Sequence, residues 1–195
     1  MYELILKNIS KFIKLTPQEE EQYVSILHSK KIRKRQYVLH EGEVCRYQFF
    51  VSKGCLRAYH VDDKGLEHVV QFAIEDWWIG DMYSFLTGTA ARLNIDALED
   101  SEIVYFDKPS IEKIYAGIPK FEKFARMQLQ NAFVANQRRI IESMSLDADQ
   151  RYCNFIEKFP LMEQRLPLKQ IASYLGITPE SLSRIRSNYV KNNKG

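Results

Sequence analysis

The stretch LKQIASYLGITPESLSRIRS, residues 168–187, restricts the possible folds more than any other part of the chain. Two short helices that meet at a steep angle need apolar residues facing each other and a small residue at their closest approach. They also need a turn residue that accepts a left-handed backbone. Ile171 and Leu175 supply the inner face of the first helix, Ala172 the small contact, Gly176 the turn and Ile177 the corner. Thr178 caps the second helix, and Pro179 occupies its first position, where a missing N–H is harmless. Leu182, Ile185 and Tyr189 then follow at steps of three and four. The spacing predicts a helix-turn-helix; the plainer alternative is a helical hairpin with a glycine turn.

The opposite face of the second helix carries Glu180, Ser181, Arg184, Ser187 and Lys191. A helix of this kind enters the major groove with its N-terminal residues toward base edges. Arg184 is suited to a bidentate bond with guanine and Glu180 to accepting from a cytosine amine. Lys169, Arg186 and Lys191 suit phosphates, which position a protein without reading sequence. Thr178, at the helix start, completes this candidate DNA-contacting set. The alternative for Glu180 and Arg184 is a surface ion pair at i, i+4.

Upstream, the pattern changes twice. Leu4, Ile5, Ile9, Phe12 and Ile13 recur at helical spacing, and Thr16, Pro17 and Glu19 form a capping box for a second helix. From about Lys31 to Asp107, β-branched and aromatic residues such as Tyr37, Val38, Phe49, Phe50, Val51, Val69, Val70 and Phe72 alternate with Gly42, Gly54, Gly65, Gly80 and Gly88. Asp62–Gly65 (DDKG) reads as a hairpin turn, and the whole region as a β-sandwich or barrel. The basic run at residues 30–36, KKIRKRQ, reads as a solvated face leading into an edge strand.

After Pro109 the helical period returns and persists through about Ser143. Met127, Val134 and Ile141 recur every seven residues; Leu129, Phe133, Ile140 and Met144 form a second stripe. One stripe packs on its own domain, and the other is expected to pack on a second copy; a single wide buried face is the alternative. A further helix starts near Asp147, buries Tyr152, Phe155, Ile156 and Phe159, and stops at Pro160.

Composition narrows the chemistry. A net charge of +3 permits nucleic acid as a partner without requiring it. Cys45, Cys55 and Cys153 form no C-x-x-C pair and fall short of the four thiolates of an iron–sulfur cluster. No run approaches the ~20 apolar residues of a membrane span, so no membrane is expected as a partner. The opening MYELILKNISKFIKL reads as a helix rather than a secretory signal, and a cytoplasmic location is the expectation. No Ser-His-Asp, Cys-His or phosphate-loop arrangement is present, so no catalytic residue and no enzyme activity are assigned.

A β-rich domain, a long helix and a helix-turn-helix, in that order, resemble the Crp–Fnr family of bacterial transcription regulators. The residues that carry the resemblance are IGDMYSFL at 79–86, the later DALEDSEIVYF, and IASYLGITPESLSRIR. It covers nearly the whole chain. The resemblance implies an α+β fold: an N-terminal jelly-roll sensory domain of the cyclic-nucleotide-binding type, a long helix forming a parallel dimer seam, and a C-terminal winged helix-turn-helix on two-fold symmetric promoters. Domain bounds of 1–110, 111–145 and 146–195 follow. Met127, Val134 and Ile141 fall at the dimer interface, and Glu180 and Arg184 match the family's base-contacting pair. Pro179 replaces an arginine that many members carry there, so the preferred half-site should differ. The expected partners are a second copy, double-stranded DNA with inverted repeats and, for an activator, RNA polymerase.

Two departures from the family follow. The terminal SNYVKNNKG is too short and polar for a full β-hairpin wing, so the wing is expected to be truncated or absent. The ligand cassette is altered as well. Members that bind cyclic nucleotides carry a Gly-Glu pair and, after a short loop, Arg followed by Ser or Thr. The Glu holds the ribose and the Arg the cyclic phosphate. Here Gly80, Asp81 and Met82 stand at the first anchor, Ala91 replaces the arginine, and Arg92 falls one place late. On an extended segment, a shift of one residue turns the guanidinium to the other face. The pocket is therefore expected to lack its phosphate grip, with the effector not cyclic AMP and no cofactor or metal assigned. Two rival readings differ in class. A cupin-type metalloenzyme would need clustered ligands, whereas His28, His40, His60 and His68 are scattered. A cyclic-nucleotide-binding module acting through protein partners would have no use for the helix-turn-helix.

Overall fold

Thr16 opens helix α2 (Pro17–Ser25) with the complete capping box: its hydroxyl accepts from Glu19 N at 3.3 Å, and Glu19 Oε2 accepts from Thr16 N at 2.6 Å. The computed structural model describes residues 2–160 and 162–192. Backbone contacts divide the chain into one unit of residues 1–61 and 70–131 and another of residues 62–69 and 132–195.

The first unit holds two four-stranded antiparallel sheets. One has the order β1-β8-β3-β6, from β1 (His28–Ile32), β8 (Ser101–Asp107), β3 (Tyr47–Lys53) and β6 (Trp78–Ile79). The other has the order β2-β7-β4-β5, from β2 (Tyr37–Leu39), β7 (Asn94–Ala97), β4 (Leu56–Val61) and β5 (Glu67–Ala73). This is the double-sheet arrangement of a jelly roll. Its core joins Phe50, Val51, Ile79, Ile103 and Val104 of the first sheet to Leu39, Leu56, Ala58, Ile95 and Ala97 of the second. The lysine-rich β1 is the outer strand of its sheet, where charged side chains stay solvated.

Because side chains alternate along a strand, Arg57 and Tyr59 project opposite to Leu56 and Ala58. Arg57 lies directly across from Asp96 and binds it bidentately, Nε to Oδ1 at 2.7 Å and Nη2 to Oδ2 at 3.1 Å, with both side chains 7% exposed. The guanidinium carbon sits 3.9 Å from the centre of the Tyr59 ring, and the Tyr59 hydroxyl meets that of Tyr37 at 2.8 Å. Burial, then this hydrogen bond, push the Tyr59 phenol well above its ordinary pKa.

Helix α1 (Glu3–Ser10) buries Ile5 and Ile9, and its Asn8 is a polar junction within the same core. The Asn8 amide donates to Asp76 Oδ1 at 2.8 Å, while its carbonyl oxygen accepts from Trp78 Nε1 at 3.1 Å and Gln128 Nε2 at 3.3 Å. The helical region after Pro109 is two helices rather than one continuous segment: α4 (Lys108–Gly117) and α5 (Lys120–Ser145). The break follows from Pro119, which excludes a helical backbone at Ile118 (φ −133°, ψ 83°). Phe121 and Phe124 of α5 enter the core. The division between the two units falls inside α5, after residue 131.

The second unit contains the tip of the β4–β5 hairpin, the C-terminal half of α5 and four helices: α6 (Ala148–Lys158), α7 (Met162–Arg165), α8 (Leu168–Leu175) and α9 (Pro179–Asn192). Asp147 starts α6 with a second capping box, to Gln150. Tyr152, Phe155, Phe159, Met162, Ile171, Leu175, Leu182 and Ile185 are buried. The hairpin tip docks on α8 through one hydroxyl: Ser173 Oγ donates to Glu67 O at 2.6 Å and accepts from Val69 N at 2.9 Å. Arg139 of α5 donates to Val69 O at 3.2 Å and lies over the Tyr174 ring at 4.5 Å. Among the described residues, no helix is long and apolar enough to cross a membrane.

Candidate nucleic-acid interface and effector pocket

The turn between α8 and α9 has the geometry its residues foretell. Gly176 takes the left-handed conformation (φ 67°, ψ 37°), and Ile177 N donates to Ala172 O at 3.0 Å, closing the end of α8. Thr178 Oγ1 accepts from Ser181 N at 3.2 Å, so Thr178 caps α9 and its hydroxyl is engaged with Ser181. Ala172, at 0% exposure, allows the close approach against Leu182 and Ile185.

Glu180, Arg184, Ser187 and Lys191 follow at steps of four, three and four, so they form one stripe about 16 Å long. All four are exposed, as is Lys169 on α8. Among the described residues no ion pair joins Glu180 to Arg184. Ser181 is half-buried beside its cap. Arg186, expected to reach a phosphate, has its Nε paired with Glu163 of α7 at 2.8 Å. Two residues separate it from Arg184, which turns it about 200° away around the helix. Glu163 also accepts from the Tyr152 hydroxyl, a convergence no local spacing announces. Of SNYVKNNKG, on which the wing expectation rests, residues 187–192 continue α9 and residues 193–195 lie outside the described residues.

The cassette sits in the first unit. Asp81 caps α3 (Met82–Thr87), its Oδ1 accepting from Ser84 N and its Oδ2 from Arg92 N, both at 2.9 Å. The carboxylate is 4% exposed, so both oxygens serve the loop. Ser84 Oγ donates to Thr89 O at 2.6 Å and accepts from Cys45 N at 2.8 Å. Ala91 pairs its backbone with Glu43 O and Gly42 N and is buried in the core. Arg92 faces out: it is exposed, with its guanidinium carbon 5.5 Å from the Tyr83 ring centre. Met82 is also exposed. A Cβ on Gly80 would lie 2.8 Å from Gln48 Nε2, so the end of the Gln48 side chain would have to shift to admit one. The Gly-Asp pair and the small loop thus form an internally bonded turn, with the Arg92 guanidinium outside it.

Helix α5 leaves Phe133 68%, Val134 61% and Met144 82% exposed, with Leu129, Ile140 and Ile141 also exposed and Met127 half-buried. Val134, Ile141, Glu142 and Leu146 line a groove of about 360 Å³ along its C-terminal half.

A double-sheet roll carrying this cassette is thus followed along the chain by a helix-turn-helix. The sequence profile of the cyclic nucleotide-binding domain matches residues 29–117. The chain is 23% identical over 191 residues to Electron transport regulator A of Shewanella oneidensis, covering 91% of this chain and 75% of that one. It is 24% identical over 191 residues, with the same coverage, to the fumarate and nitrate reduction regulatory protein of Vibrio cholerae. The c-di-GMP responsive global regulator CLP of Xanthomonas campestris shares its fold with a TM-score of 0.73 at 13% identity, over 91% of this chain and 93% of that one. The chain is thus similar to regulators of this kind over about nine-tenths of its length.

Proposed function

We propose that this chain is a homodimeric transcription regulator that reads inverted-repeat DNA through α9 and whose sensory roll does not answer to cyclic AMP. The observation that carries the DNA reading is the exposed stripe Glu180–Arg184–Ser187–Lys191 on a helix whose other side is seated by the buried Leu182 and Ile185. Arg184 and Glu180 specify bases; Lys169 and Lys191 hold phosphates. The exposed apolar residues of α5 around Val134 and Ile141 support a second copy as their cover. The effector reading rests on Ala91 standing buried where a phosphate-binding arginine would be, on Arg92 facing out, and on Asp81 having both oxygens taken by main-chain amides.

Selection of bound sequences from random duplex DNA tests this. An inverted repeat with half-sites ~34–36 Å apart is expected, and Arg184→Ala should flatten preference at one base pair per half-site. A selected motif unchanged by Arg184→Ala would remove α9 from the reading role.

A further inference from the structure

We propose that Glu163 is a positioning residue for DNA reading: it holds the roll of α9 through Arg186, so that Arg184 meets its base at a fixed angle. The assignment rests on the DNA-binding reading above. Leu182 and Ile185 seat α9 by apolar contact, which has no preferred direction and lets a helix turn about its own axis. The tip of a side chain lies 5–6 Å or more from the helix axis, so ~10° of roll displaces it by about 1 Å. A bidentate arginine–base pair does not survive such a shift unchanged. A directional lock is therefore required, and the unit contains one.

The single oxygen Oε1 of Glu163 receives the Tyr152 hydroxyl from α6 and Arg186 Nε from α9, the latter at 2.8 Å. Three helices converge on that atom. The Tyr152 side chain is buried, and its ring also meets Tyr189 of α9 edge-on at 5.7 Å between centroids. Burial, then the Glu163 carboxylate, hold the phenol protonated, so it remains a donor. Arg186 and Glu163 are partly shielded, at 38% and 24% side-chain exposure, which favours a pair that orients over one that merely decorates the surface. Arg186 is thereby a strut rather than a DNA contact, with Glu163 its anchor.

The test uses the full chain and the site selected by the wild type, in competition with a site altered at the base pair that Arg184→Ala affects, over a range of salt. Glu163→Gln should cut discrimination between the two sites at least fivefold. It should leave the salt dependence unchanged, because Arg186 faces away from the reading stripe and holds no phosphate. Arg186→Met should cut discrimination equally, again with unchanged salt dependence, and Tyr152→Phe should act in the same direction more weakly. A merely structural pair would weaken both sites alike. Discrimination within twofold of wild type in folded Arg186→Met protein would overturn the proposal, and that variant decides even where Glu163→Gln unfolds. A wild-type chain that selects no sequence would instead sink the DNA-binding reading, and this assignment with it.

Discussion

Arg57 and Asp96 are the most demanding pair in the chain, because each charge would be ruinous without the other. Removing one partner of a buried ion pair leaves an uncompensated charge, at a cost of about 3–5 kcal/mol. Asp96→Ala should therefore lower stability by that amount in urea unfolding, whereas replacing both by well-packed apolar residues should be close to neutral. A loss under 1 kcal/mol for Asp96→Ala would mean the pair is solvated in solution. Nothing in LRAYHV, read as a strand, signals that its arginine is buried; the partner is 39 residues away and the register supplies it. The cassette was more legible. Ala91 and Arg92 face opposite ways, as alternation along an extended segment would have it, although both precede β7 and Arg92 sits at a bend. The saturation of Asp81 was not legible, since its second amide comes from the far side of the loop. Titration calorimetry with cyclic AMP should give no heat for the wild type. Micromolar binding abolished by Arg92→Ala would show that the loop rearranges to bring the guanidinium in, and would defeat the effector reading.

Among the elements, α5 carries the clearest consequence. Its first turns are anchored by Phe121 and Phe124, while its later turns present Phe133, Val134, Ile140, Ile141 and Met144 to solvent in a single chain. Val134→Glu places a charge in that stripe and should shift a sedimenting dimer toward monomer at micromolar concentration; wild-type protein that sediments as a monomer would refute the seam. The heptad spacing makes this stripe readable from sequence, whereas the break at Ile118 interrupts a helical period that reads as continuous from Pro109. Helix caps were legible wherever their residues are adjacent. Asp107 caps α4, accepting from Ser110 N at 2.8 Å, and its bonds to Ser110 hold its carboxyl below the usual range. A depressed carboxylate stabilises the fold above its unfolded value, near pH ~3.9, and that contribution is lost as pH falls through the folded value. Asp107→Ala should cost about 1 kcal/mol at neutral pH, as caps do, and the difference from wild type should vanish in acid. A difference that persists at pH 2 would assign the effect to something other than the charge.

For the whole molecule, the order of parts was legible, because a change from period two to helical period and the helix-turn-helix spacing are both local. One long-range association was not: residues 62–69 group with the C-terminal helices in one compact unit. The Ser173 hydroxyl completes the hydrogen bonding of a strand edge, which sequence proximity cannot reveal across more than a hundred residues. This has a practical consequence for anyone who would transplant the reading head. A fragment cut at residue 146 leaves behind the loop that covers Ser173 and the arginine that covers Tyr174. A chimera that joins these C-terminal helices to a foreign sensor must bring the tip of the β4–β5 hairpin and the last turns of α5 as part of the graft, or rebuild their surfaces in the host.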